Sequence, residues 1–164
     1  PTFDHQLFAL NNYSHLSAKQ PDAASPFSLP LSLYSRGMGG LGLPGDYSSQ
    51  SRFIRAAFVR NCMESYEMKR AEKLTPETSG SDSLSQFFHI LSAVQVPKGC
   101  VDVGDETFQY TIYSSCCNTD LGIYYYKAYD NPQIHAVNMH HVNLDSHALF
   151  HYPLILRGEI RRLN

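Results

Sequence analysis

"YTIYSSCCNTDLGIYYYKAYDNPQIHAVNMHHV", residues 110–142, decides the fold. Upstream of it, apolar residues recur every three or four positions. After "VPKGC" (96–100) they alternate. In "ETFQYTIYSSCCN" (106–118), Phe108, Tyr110 and Ile112 alternate with Gln109, Thr111 and Tyr113, the period of a strand. "LGIYYYKAYDN" (121–131) reads as a second strand and "PQIHAVNMHHV" (132–142) as a third. Asp120-Leu121-Gly122 and Asp130-Asn131-Pro132 carry turn chemistry between them. The three are expected to form an antiparallel meander. A short helical turn is expected near "LDSHAL" (144–149), and "FHYPLIL" (150–156) closes the chain.

Moving outward toward the start, the periodicity is helical. In "TFDHQLFALNNY" (2–13), Thr2 can cap, Asp4 favours the positive helix end, and Phe3, Leu7 and Leu10 share a face. A proline followed at once by a capped helix reads as the interior of a longer chain. Residues 14–33 read as loop, broken by Pro21, Pro26 and Pro30. Asp46 or Ser48 can cap a helix over about 49–70, with Phe53, Ala57 and Met63 turned toward a core. "KLTPETSGSDS" (73–83) is polar and turn-rich. A further helix, capped near Asp82 or Ser83, presents Phe87, Ile90 and Leu91 as its apolar face, and His89 on it reads as structural. Helices first and strands afterwards argue for an α+β fold.

Composition sets outer bounds. The chain has 164 residues, 43% hydrophobic and 17% charged, the profile of one soluble domain with a core. A net charge of −2 points to neither nucleic acid nor an anionic membrane as partner. No apolar run approaches the roughly 18–20 residues of a membrane span. Asp4 and His5 interrupt any signal-peptide core. Cys62, Cys100, Cys116 and Cys117 contain no C-x-x-C pair, and are expected as reduced thiols in a cytoplasmic protein.

Several groups could carry chemistry. His135, His140, His141, His147 and His151 crowd the last third, but no H-E-x-x-H is present and His140 and His141 face opposite ways on a strand, so no metal site is expected. No cofactor is implied. Cys116 and Cys117 could act as nucleophiles, with packing on a strand as the competing role. Pro1 could offer a secondary amine as a base, provided the chain begins there naturally. "YSRGMGGLGLPGD" (34–46) holds five glycines, and either approaches a ligand or forms a surface loop; it lacks G-x-x-x-x-G-K-S/T. In "GLPGDYSSQSRFIRAAF" (42–58), Arg52 falls just inside a helix start, where the dipole is already positive. It is either a solvated charge or a neighbour to an anion.

"PTFDHQLFALNNY", "SRGMGGLGLPGDYSSQSRFIRAAF", "SQFFHILSAVQVPKG", "YTIYSSCCN" and "GIYYYKAYDNPQI" occur in that order. Together they resemble the C-terminal half of the choloylglycine hydrolase family, along essentially the whole chain (1–164). The resemblance implies an N-terminal nucleophile hydrolase, a four-layer αββα sandwich of antiparallel sheets about twice this length. It implies a bile salt hydrolase, cleaving glycine or taurine from a conjugated bile acid through a thioester on an N-terminal cysteine whose α-amine is the base. The alternatives are a penicillin V acylase-type amidase, or a fragment that serves only in assembly.

By the same resemblance, the arginine of "SSQSRF" is catalytic, which assigns that role to Arg52. The 37–45 loop would border the site. None of the four cysteines matches the nucleophile, and a family asparagine belongs just before the "PTF" segment. The nucleophile and most substrate-binding residues are therefore expected upstream, this chain alone is expected to be inactive, and its partners are the upstream half and, as in relatives, a homotetramer.

Overall fold

The computed structural model describes residues 2–22, 33–71 and 79–163. Pro1, Pro26, Pro30 and most of the polar 73–83 segment lie outside the described residues or at their edge. The chain divides into two compact units, Pro1–Gln95 and Val96–Asn164.

The first unit is helical. α1, Phe3–Leu10, starts where expected: the Thr2 hydroxyl accepts from the His5 N–H, and Asp4 lies in the first turn. Its face differs from expectation. Ala9 is the buried residue, while Phe3, Leu7 and Phe8 stay exposed. Phe3 still meets Phe53 edge to face at 5.8 Å between ring centroids. α2, Ser49–Ala71, is capped by Ser48, whose Oγ accepts from the Ser51 N–H at 3.3 Å. Ile54 is its fully buried side chain, at 1% exposure; Phe53, Ala57 and Met63 are half-buried.

α3, Ser79–Ser92, starts ahead of the expected caps, so Asp82 and Ser83 lie inside it. Phe88 is buried and Phe87 exposed, the reverse of expectation. Adjacent phenylalanines leave the choice open from periodicity alone, and the stripe through Leu84, Phe88 and Leu91 is the one that packs.

The second unit is built on strands. β3, Tyr113–Asn118, β4, Ile123–Ala128, and β5, Asn131–Asn138, form the expected antiparallel meander in the order β3-β4-β5. Ser115 faces Tyr126, which faces His135. Gly122, at φ 61°, closes the first connection, and Asn118 Oδ1 accepts from the Leu121 N–H there. The second connection is the pair Tyr129-Asp130, so Asn131 opens β5 instead of lying in the turn.

The expected first strand is divided. A hairpin of β1, Asp102–Gly104, and β2, Thr107–Phe108, precedes β3, and residues 109–112 lie between. Thr111 explains the break. Its N–H donates to the Val96 carbonyl and its hydroxyl accepts from the Val96 N–H, both at 3.0 Å. Those bonds tie 111 to the start of the unit, and they occupy its main-chain N–H, which a continuous β3 ladder could have used. The expected helical turn near 144–149 is a run of side-chain-braced turns instead, with Asn143 Oδ1 accepting from the Asp145 N–H and Ser146 Oγ from the Ala148 N–H. A 3₁₀ turn forms earlier, at Met139–His141.

Residues 149–163 run without regular structure. Asn131, 1% exposed, holds them: its Nδ2 donates to the carbonyls of Ile155 at 3.2 Å and Arg157 at 3.3 Å.

Candidate active site

The approach to α2 is a polar box assembled by local chemistry. Asp46 lies two residues ahead of the Ser48 cap. One carboxylate oxygen accepts from the Ser48 N–H at 2.9 Å, and the other from the Ser51 hydroxyl. Ser48 and Ser51 also bond to each other through their hydroxyls at 3.1 Å. These bonds, first of all those from Ser48 and Ser51, lower the Asp46 pKa to about 2. An anion is thus kept beside the positive end of the helix, where it is favoured.

Arg52 and Arg55 leave this box one turn apart. Arg55 Nε donates to the Ala93 carbonyl at 3.1 Å. One of its terminal nitrogens donates to the carbonyls of Pro44 at 2.8 Å and Asp46 at 2.6 Å. Arg52 differs. Its backbone N–H bonds the Ser48 carbonyl, but its Nε is buried and has no hydrogen-bond partner among the described residues. A buried donor left unmet costs about 1–3 kcal/mol. Sequence reading singled out Arg52 and missed Arg55. The acceptors of Arg55 are main-chain carbonyls 9, 11 and 38 residues away, and no residue type advertises them.

The glycine-rich segment is ordered by its neighbours. Gln20 Nε2 donates to the Ser35 carbonyl at 2.6 Å, and its Oε1 accepts from the Met38 N–H at 2.9 Å. Gly39 is buried against main chain: a methyl group there would run into the carbonyl oxygens of Ser17 and Lys19. Gly37 and Gly42, at φ 81° and 87°, provide the left-handed turns on either side. Gly39 thus serves a close approach to the chain's own backbone, a role distinct from both readings offered by composition.

The remaining candidates are scattered. Cys62 and Cys116 are half-buried, and burial pushes both thiols up, away from the thiolate; Cys100 and Cys117 are exposed. His135 stacks on Tyr126 at 5.2 Å, and its Nε2 lies 3.0 Å from Asn131 Nδ2. His140 covers Gly122. Among the described residues, no three His, Cys, Asp or Glu side chains converge as ligands, and no helix is long and apolar enough to cross a membrane.

Over all 164 residues the chain is 51% identical to the bile salt hydrolase/transferase of Lactiplantibacillus plantarum and spans 47% of that protein. It is 36% identical to the bile salt hydrolase/transferase of Clostridium perfringens, of which it spans 46%. Its fold superposes on a crystal structure of a variant conjugated bile acid hydrolase from Clostridium perfringens with a TM-score of 0.83 at 35% identity, covering the whole chain and 46% of that structure. Penicillin V acylase from Agrobacterium tumefaciens shares the fold at a TM-score of 0.54 and 18% identity, over 85% of this chain and 34% of that one. The chain thus spans about half the length of the curated relatives it matches. The family model of linear amide C-N hydrolases, choloylglycine hydrolase family, matches residues 1–152, and the chain belongs to that family.

Proposed function

We propose that this chain is the C-terminal portion of a single-domain amide hydrolase acting on glycine- or taurine-conjugated bile acids. Arg52 is its contribution to the catalytic centre. The substrate class rests on the likeness, along the full chain, to proteins named bile salt hydrolase/transferase. The observation that carries the role of Arg52 is its buried Nε without a partner among the described residues. A guanidinium keeps its charge at any working pH and offers five donors in a fixed plane. Placed beside a cysteine supplied by another segment, it favours the thiolate, which is the nucleophile.

The chemistry follows in two steps. The thiolate attacks the amide carbonyl, and the tetrahedral intermediate expels glycine or taurine as the amine takes up a proton. Water then cleaves the thioester to free the bile acid and restore the thiol. A fixed cation near the developing negative charge lowers the barrier without reorganising during the reaction.

The test is Arg52→Ala in the complete gene product, assayed for glycine and taurine released from glycocholate and taurocholate. Turnover is expected to fall by about 100-fold or more, with the melting temperature almost unmoved. Unchanged turnover would take Arg52 out of the mechanism. Faster cleavage of penicillin V than of either conjugate would move the substrate class to the acylase alternative.

A further inference from the structure

We infer that Arg55 is a positioning residue for Arg52, an inference that rests on the catalytic reading of Arg52 proposed above. Arg55 joins three pieces of main chain: its own helix, the loop at Pro44 and Asp46 that leads into that helix, and Ala93 just beyond the end of α3. Each acceptor is a carbonyl with reason to hold a cation. The last carbonyls of a helix lack intrahelical partners and carry its negative end, and Ala93 directly follows α3. The Pro44 and Asp46 carbonyls flank Gly45 in an irregular segment, where no ladder could satisfy them.

The arrangement needs a guanidinium. Nε serves one side of the clamp while a single terminal nitrogen serves the other, so the two directions are set by one rigid plane. A lysine carries one ammonium on a flexible stem and cannot hold both sides at those distances. What the clamp fixes is the first turn of α2. The Asp46 carbonyl that Arg55 holds belongs to the residue whose carboxylate holds Ser48 and Ser51. Arg52 follows Ser51 directly and lies three residues before Arg55. Its own guanidinium is not restrained at Nε by any described group, so its placement is inherited from this turn. A displacement near 1 Å at a reacting centre can cost about 100-fold in rate.

The experiment is Arg55→Lys in the complete gene product, alone and combined with Arg52→Ala. Two readouts are taken: bile-salt hydrolysis resolved into kcat and KM, and amide hydrogen exchange along α2. In Arg55→Lys, amides of residues 46–52 are expected to exchange at least about tenfold faster while those from 58 onward keep their rates. Its kcat is expected to fall about 10- to 100-fold with KM within about threefold. On the Arg52→Ala background, Arg55→Lys is expected to cost less than about threefold further, because the residue acts through Arg52. Unchanged exchange at 46–52 would overturn the inference whatever the assay reads. So would equal losses from Arg55→Lys with and without Arg52, the result of a merely structural role. If Arg52→Ala alone keeps full activity, the reading of Arg52 as catalytic falls, and exchange still reports whether the clamp orders that turn.

Discussion

Arg52 and Arg55 carry the same charge on the same helix, yet only one has its hydrogen bonds accounted for. The difference lies in their surroundings, so neither proposed role was legible from residue type. Arg52 stood out through the family resemblance of "SSQSRF"; Arg55 stood one turn beyond it and carried no signal. Asp46 was legible in part. Its position before the helix announced a cap, although Ser48 does the capping and Asp46 braces Ser48 and Ser51. Its titration gives a direct check. The folded pKa, about 2, lies below the ordinary 3.8, so this carboxylate favours the folded state fully above pH 3.8. The contribution is lost as pH falls through about 2. The carboxyl carbon resonance of Asp46 is expected to titrate with a midpoint near 2, moving upward in Ser51→Ala while staying below 3.8, because the bonds from Ser48 remain.

At the level of elements, the meander was readable because alternation, tyrosine-rich strands and the Gly122 turn all agreed on it. The β1–β2 hairpin was not. Its two-residue connection, Asp105-Glu106, takes φ 51° and 57°, both left-handed. Asn-Gly is the usual mark of such a turn, and Asp-Glu hides it. A glutamate there is strained by an amount that glycine avoids. Glu106→Gly is therefore expected to raise stability by about 0.5–1 kcal/mol, after the entropic cost of glycine in the unfolded chain. Urea denaturation of the wild type and the variant measures it; a loss of stability would mean that Glu106 makes contacts worth more than its backbone strain. The helix faces failed for a different reason. Periodicity finds an apolar stripe, but which neighbour covers it is a tertiary matter, as Phe87 and Phe88 illustrate.

For the molecule as a whole, the α+β class was legible from the order of helices and strands, and the family from five blocks of residues. The distribution of apolar surface was not. Phe3, Leu7, Phe8, Leu149, Phe150 and Ile160 are exposed, more large apolar groups than the caps and turns suggest. The 164-residue chain is expected to enhance anilinonaphthalene sulfonate fluorescence several-fold over the complete gene product at equal molarity. Equal, low fluorescence would mean that these side chains are covered without further chain. The Asn131 amide adds a matter of timing. Its two carbonyl partners lie 24 and 26 residues downstream, far beyond the strand it opens. Until residues 155–157 have docked, the Asn131 amide lacks both of these acceptors and stays open to water. A chain cut just before Ile155 keeps every strand yet loses both bonds, so it is expected to be digested faster than the uncut chain by an added protease.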